Sequence, residues 1–143
     1  FTMVKEHLNE NGVMVVNMNM RGNNEGNINQ YLSDTIASVF DHIVTVDVDG
    51  STNRELYASS NADMVKTLEN NANETGHSDL RDMMLHVADT SSVYEAGDYI
   101  MTDDKAPVEL LGMQVIDQLI QGEVAYYKDI FEKDGINGLL ESL

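Results

Sequence analysis

The sequence contains no cysteine, few basic residues and no long apolar run, and each shortage excludes a class of protein or site. Without cysteine, the chain cannot form a disulfide, a thiolate metal site or a cysteine nucleophile. This composition agrees with a reducing compartment, so we expect a cytoplasmic protein. No apolar run approaches the roughly 20 residues that a membrane-spanning helix needs.

Positive charge is also scarce. The 143 residues include 25 acidic and 8 basic residues, which gives a formal net charge of −17. Such a chain repels nucleic acids and anionic membranes, so we expect no nucleic-acid partner. A small cationic amine is the kind of ligand that this charge would attract. The alternative is that the acidic residues form only a solvated surface.

The first 61 residues alternate between helical and extended patterns. An opening helical segment leads to the continuous apolar run Val13 to Val16, which predicts a strand buried on both faces. Residues 28–40 have helical periodicity, and Asn27 stands where a helix cap belongs. Residues 42–48 and 55–60 predict two further strands around a polar turn.

This order of elements predicts an α/β fold with about three strands. A helix between the first two strands favours a parallel crossover, whereas the short turn favours an antiparallel last pair. If the third strand lies between the other two, the first strand keeps one bare apolar edge, which invites pairing. We therefore expect this edge to be covered by the missing N-terminal half of the same domain, or by another copy in a homo-oligomer.

The second part of the chain changes in character. Helical patterns cover residues 62–71 and 78–87, and a long helix follows Pro107, with Gly122 as a possible bend. We therefore divide the chain into residues 1–61, the C-terminal half of an α/β sheet, and residues 62–143, a helical extension packed on the same domain. Because the sequence opens in the middle of a helical pattern, we expect the natural beginning of the protein to lie upstream.

Three stretches carry a resemblance to a known family. "FTMVKEHLNENGVMVVNMNM" looks like the helix and central strand that follow the active-site loop of the spermidine synthase family, which has the S-adenosylmethionine-dependent methyltransferase fold. "FDHIVTVDVDGSTNRELYASSN" resembles its closing pair of antiparallel strands. "YIMTDDKAPVELL" is similar to a late motif of bacterial spermidine synthase-like proteins, some of which carry a membrane-spanning portion upstream. The chain therefore resembles the carboxyl-terminal part of this family.

The resemblance implies a seven-stranded methyltransferase-like (Rossmann-type) sheet with one reversed strand, of which this chain would supply the last three strands. The family's glycine-rich turn, the acidic residue after its second strand and its catalytic aspartate loop would all lie upstream. This chain would then hold no catalytic, cofactor-binding or metal-binding residue and would be inactive alone. The complete parent would use S-adenosylmethionine or decarboxylated S-adenosylmethionine in a group transfer to an amine or other small acceptor.

Polar residues at the end of the first strand form the candidate substrate-binding site. Ligands of open α/β sheets lie beyond the carboxyl ends of the parallel strands, where Asn17, Asn19 and Arg21 stand. Alternation puts the two asparagines on one face, and an amide can both donate and accept hydrogen bonds. Their alternative role is to satisfy loop backbone and helix ends. Asp103 and Asp104 could close over the same cleft, or could cap the long helix.

The chain departs from true aminopropyltransferases in two places. Those enzymes usually carry a glutamine-rich strand end and a proline–tyrosine pair in the later loop. Here the strand ends in Asn17-Met18-Asn19-Met20, and the later loop is residues 49–53. These departures keep open a second function, a non-catalytic sensor or scaffold that self-associates through the exposed strand edge.

Overall fold

The computed structural model describes residues 1–19, 25–104 and 108–142, and the chain forms two compact units, residues 1–106 and 107–143. The first unit contains, in chain order, α1 (Thr2–His7), β1 (Val13–Met18), α2 (Ile28–Ala37), β2 (His42–Asp47), β3 (Arg54–Ser59), α3 (Met64–Glu74), α4 (Ser78–Thr90) and β4 (Ser92–Val93). The second unit is built on α5 (Val108–Glu141). Among the described residues, no helix is long and apolar enough to cross a membrane. The division at residue 61 stays a prediction.

The strands form one sheet, and every neighbouring pair of strands in it is antiparallel. Its order is β1-β3-β2-β4. Since β3 is antiparallel to both β1 and β2, those two strands run parallel to each other, with α2 as the connection between them. The predicted order of the first three strands and the antiparallel last pair are confirmed. The short β4, which pairs with β2 through Ser92 and Val93, was not predicted.

The turn between β2 and β3 follows the chemistry expected from its residues. Gly50 adopts φ 66°, a left-handed conformation that favours glycine. The backbone N–H of Ser51 donates to the carbonyl oxygen of Val48 at 3.2 Å. The backbone N–H of Val48 donates to the carbonyl oxygen of Asn53 at 3.1 Å. These bonds fix the register in which Val44 and Tyr57 lie opposite each other.

A single apolar core lies between the sheet and α2. On this side, called the α2 face, β1 contributes the buried Met18 and the partly buried Met14 and Val16. The fully or nearly buried members of the core cluster are Met18, Ile36, Phe40, Ile43, Leu56 and Ala58. The start of α2 is fixed as predicted, because the Asn27 side chain accepts a hydrogen bond from the Gln30 N–H at 3.0 Å.

The prediction that β1 is buried on both faces is wrong. Its other side, called the groove face, consists of Val13, Val15 and Asn17, and the two valines remain 39% and 54% exposed. The helices α3 and α4 cover only part of this side of the sheet. They leave an open, mainly apolar cavity of about 310 Å³, here called the groove, which Val13, Val15 and Tyr57 help to line.

The second unit is one long helix with a break near its end. Gly135 has φ 64° and ψ −157°, so the helix changes direction there. The predicted bend at Gly122 is wrong, because Gly135 is the only position within α5 with non-helical angles.

Candidate functional site

Polar side chains gather at one edge of the sheet. Because β1 and β2 run parallel, their carboxyl ends lie at the same edge, which is where open α/β sheets bind ligands. β3 begins at this edge. The register therefore sets Asn17 opposite Glu55, and Glu55 opposite Val46.

The two asparagines of the candidate site are open to solvent. Asn17 is the fifth residue of β1 and Asn19 follows the end of the strand, and both are exposed. Neither side chain hydrogen-bonds to another residue within 1–19, 25–104 and 108–142. Whether these amides bind a ligand or serve the adjoining backbone therefore stays a prediction. Arg21, the third residue of this group, lies outside the described residues.

Glu55 extends the candidate site, although the sequence analysis assigned it no role. Residues directly opposite in an antiparallel pair share one face, so Glu55 and Asn17 both point to the groove face. Tyr57, two residues further on, lines the groove on that face. Burial raises the pKa of the Tyr57 phenol, and the negative charge of Glu55 raises it further. The pairing register was the signal that could have identified Glu55.

This arrangement combines an apolar groove with a carboxylate and an amide at one end. A carboxylate accepts hydrogen bonds from a cationic amine, and an amide oxygen can accept another. The valines and Tyr57 offer contact to an attached aliphatic chain. The groove face thus carries one carboxylate and one amide beside an apolar groove, a combination whose use is taken up under the proposed function.

On the α2 face, the same edge of the sheet carries an ion pair. Arg54 lies opposite Met18 and Asp47, so all three belong to the α2 face. The Arg54 guanidinium donates to both carboxylate oxygens of Asp47, at 2.5 and 3.0 Å. The Asp47 carboxylate raises the pKa of Arg54. This geometry occupies the guanidinium fork and joins the end of β2 to the start of β3.

A buried carboxylate on α2 holds the segment that precedes Asp103. Asp34 is fully buried and accepts hydrogen bonds from the Tyr94 hydroxyl at 2.6 Å, the Gly97 N–H at 2.9 Å and the Tyr99 N–H at 3.0 Å. A Cβ added at Gly97 would lie 2.7 Å from an Asp34 carboxylate oxygen, so this approach requires glycine. Burial and the Asp34 bond both raise the pKa of Tyr94. We call this set of contacts the Asp34 clamp.

A further hydrogen bond to α2 lies between the Asp34 clamp and the predicted site residues Asp103 and Asp104. The Met101 N–H donates to Thr35 Oγ1 at 2.8 Å, one residue along α2 from Asp34. Asp103 and Asp104 follow in an exposed turn. No hydrogen bond or ion pair within the described part of the chain joins them to the asparagines, so their share in one cleft stays a prediction. Capping of α5 would involve residues 105–107, which lie outside the described residues.

The described residues do not form a nucleotide cradle. Gly26 has φ 71° and its N–H donates to Gln30 Oε1 at 2.7 Å, so this glycine serves the entry into α2. A Cβ at Gly26 would lie 3.4 Å from the Tyr99 ring, so this glycine is packed against Tyr99. No group of three or more acidic or histidine side chains in the described part of the chain could hold a metal ion.

These features define the chain as a mixed α/β fold with polar side chains at the edge of the sheet where β1 and β2 end. Comparison with known proteins then gives a particular relative. The chain is 46% identical over 160 aligned residues to a protein of Bifidobacterium longum (strain NCC 2705) described as a probable polyamine aminopropyl transferase.

The extent of this match matters as much as its identity. The alignment includes 100% of the chain but only 36% of the relative, so the chain spans about a third of that protein's length and matches its carboxyl-terminal part. The resemblance to the carboxyl-terminal part of the spermidine synthase-like family is thereby confirmed. No protein-family model matches the chain. No solved structure matches it.

Proposed function

We propose that the chain is the acceptor-binding part of a larger polyamine aminopropyl transferase. The observation that carries this proposal is the 46% identity, along the whole chain, to a protein described with that activity. In this proposal the parent transfers an aminopropyl group from decarboxylated S-adenosylmethionine to an amine. The donor would be held by residues upstream, and the present chain alone would not turn over substrate.

The sheet supports completion by a Rossmann-type half. β3 runs between two mutually parallel strands and opposite to both, as expected for a sheet of the methyltransferase type that ends with one reversed strand. Among the described residues, β1 has a partner strand on one side only. The outer edge of β1 is where a further parallel strand from an upstream half would pair, and elements of that half packed on the groove face would cover the exposed Val13 and Val15.

The groove face supports an amine as the acceptor. Glu55 and Asn17 would bind the ammonium end, while the groove would accommodate the methylene chain. Asn19 lies just beyond, and Arg21, Asp103 and Asp104 are proposed to complete the acceptor side. The net charge of −17 would further concentrate cations near the protein.

A direct test uses the complete parent protein with decarboxylated S-adenosylmethionine and a short aliphatic diamine. The readout is release of the thioether nucleoside that remains after the aminopropyl group leaves. Alanine at both Asn17 and Asn19, or Glu55→Gln, should raise the KM for the diamine about tenfold, equivalent to about 1.4 kcal/mol. Asn70→Ala, an exposed asparagine on α3, is the matched control and should leave the KM unchanged.

The outcomes separate the function from the site. Turnover with an unchanged KM in both the Asn17/Asn19 double variant and Glu55→Gln would refute the assignment of these residues, while leaving the transferase activity in place. No turnover of any amine would favour the second function, a sensor or scaffold that keeps the fold without the chemistry. The observation behind that second function is the apolar edge formed by Val13 and Val15, which could pair with another copy.

A further inference from the structure

The side chain of Tyr99 contacts three residues around the start of α2. Its hydroxyl donates a hydrogen bond to Glu25 Oε1 at 3.1 Å. Its ring packs against the ring of Tyr31, with the ring centroids 5.0 Å apart and the ring planes at 60°. Gly26 lies against the same ring, because a Cβ there would be 3.4 Å from it. We call these contacts to Glu25, Gly26 and Tyr31 the Tyr99 tie.

The backbone beside Tyr99 is itself attached to α2. The Tyr99 N–H donates to the buried Asp34 carboxylate at 3.0 Å, and the Met101 N–H donates to Thr35 Oγ1 at 2.8 Å. The Asp34 clamp therefore fixes the backbone from which the Tyr99 ring extends. Through that ring, one side chain joins residues 94–101 to the residues that lead into α2.

The residues that receive the ring are each held by a hydrogen bond of their own. Gly26 adopts φ 71°, a conformation that favours glycine, and its N–H donates to Gln30 Oε1 at 2.7 Å. Asn27 accepts from the Gln30 N–H at 3.0 Å. The hydrogen bond to Glu25 raises the pKa of Tyr99, so the phenol keeps the proton that it donates.

The two segments joined by the tie both adjoin residues of the proposed acceptor site. Glu25 follows Asn19 along the connection from β1 to α2, and Tyr99 shortly precedes Asp103 and Asp104. These three site residues are exposed. Loop residues are mobile unless the backbone beside them is fixed, and a ligand that has to order them binds more weakly. A contact that fixes both segments therefore favours binding at this site.

We propose that Tyr99 is a positioning residue, which holds Glu25 and the segment leading to Asp103 in one arrangement before the acceptor amine binds. Tyr99 touches no reacting atom in this proposal. The role rests on the proposed acceptor site, to which it adds a contact between the two segments that carry its residues. Loss of the tie should raise the KM for the amine and leave kcat unchanged, because only ordering before binding is affected.

The first test measures hydrogen exchange in this chain alone. Glu25→Ala should speed exchange of the Tyr99 and Met101 amides at least threefold, although Glu25 and Tyr99 are 74 positions apart in the sequence. In the reverse direction, Tyr99→Phe should speed exchange of the Gly26 amide by a similar factor. Glu10→Ala, at another exposed glutamate in a turn, is the matched control and should change none of these amides.

The second test measures kinetics of the complete parent with decarboxylated S-adenosylmethionine and a short aliphatic diamine. Tyr99→Phe keeps the ring but removes the hydroxyl, and should raise the KM for the diamine about fivefold, the size expected from one hydrogen bond, with kcat unchanged. Glu25→Ala should have the same effect alone and in combination with Tyr99→Phe, because both changes remove one shared bond.

Two further variants are controls for the kinetic test. Glu25→Gln keeps an acceptor oxygen for the Tyr99 hydroxyl, so its KM should return to within about twofold of the unmodified value. Tyr126→Phe removes the hydroxyl of an exposed tyrosine on α5 and should leave the KM unchanged.

Three results would overturn the proposal. The first is unchanged exchange of the Met101 amide in Glu25→Ala, which would show that the two segments move independently. The second is an unchanged KM in Tyr99→Phe when the Asn17/Asn19 double variant raises it, which would leave the proposed function in place and make the tie purely structural. The third is no turnover of any amine by the unmodified parent, which would refute the proposed function and the acceptor role of Tyr99 together, whatever the exchange result.

Discussion

The two faces of β1 differ in how completely this chain covers them. On the α2 face, Met18 is 2% exposed and packs with Ile36 and Leu56, both fully buried. On the groove face, Val15 is 54% exposed in an equally apolar stretch of sequence. The difference teaches that the described residues cover the α2 face of β1 completely and leave Val13 and Val15 on its groove face largely exposed. A match to only 36% of a longer relative agrees with this contrast.

Core truncation gives the largest expected difference between the two faces. Leu56→Ala removes a fully buried side chain on the α2 face and should lower the free energy of unfolding by about 2–5 kcal/mol. Val15→Ala on the groove face should change it by less than about 0.5 kcal/mol, because the side chain is mostly exposed. Urea unfolding of the two variants measures both values. Equal losses would show that the faces are equally packed.

The Asp34 clamp should give the next largest effect. Asp34→Asn weakens three hydrogen bonds to a buried carboxylate and should cost about 1.5–3 kcal/mol. The matched control Asp82→Asn, on the exposed side of α4, should stay within about 0.5 kcal/mol. Limited proteolysis adds a local readout, since loosening the clamp should expose residues 94–101 to cleavage. Protection equal to that of the unmodified chain would contradict the role given to Asp34.

Tyr94 provides a smaller effect that depends on pH. Its pKa is raised above the ordinary value of 10.0, because burial and the Asp34 bond both disfavour the charged phenolate. A raised pKa gives a stabilisation that is fully present below pH 10.0 and is lost as the pH rises toward the folded-state pKa. Tyr94→Phe should therefore flatten the fall in stability above that pH. The pKa values of Tyr57 and Tyr99 are also raised, so ultraviolet absorbance should show one late-titrating tyrosine fewer in the variant than in the unmodified chain.

The smallest stability effect is expected on the groove face itself. Val15→Lys places a charge on an exposed wall of the groove and should change the free energy of unfolding by less than about 0.5 kcal/mol. It should nevertheless reduce the fluorescence of a dye that binds exposed apolar surface, by about half. Val93→Lys, at an 80% exposed valine on β4 outside the groove, is the matched control and should leave the dye signal unchanged.

The fold of the first 61 residues could be predicted because its signals are local. Alternation in β2 and β3, together with the glycine turn at Gly50, specifies an antiparallel pair. The Asn27 cap marks the start of α2 in the same way. β4 gave no such signal, because a strand of two residues, Ser92 and Val93, has no measurable alternation.

The burial of β1 could not be predicted for a different physical reason. An apolar run indicates that both faces of a strand are suited to burial, but it does not indicate that the same chain provides both coverings. Val13 and Val15 have the composition of a covered strand and remain exposed in this one.

The candidate site was only partly accessible to sequence reasoning. Asn17 and Asn19 follow directly from their place at a strand end. Glu55 joins them only through the register between β1 and β3, which no local pattern fixes. The Asp34 clamp was missed because its partners Tyr94, Gly97 and Tyr99 lie 60 to 65 residues further along the chain. A single sequence gives no signal for contacts of that range.

The most direct test of the central claim is hydrogen exchange of the β1 backbone amides, compared between this chain and the complete parent protein. The claim is that the outer edge of β1 is a pairing site completed by the rest of the parent. It predicts that the amides of residues 13–18 that point away from β3 exchange rapidly in this chain and become strongly protected in the parent. Identical exchange in both proteins would contradict the claim, because the edge would then be free in the complete protein as well.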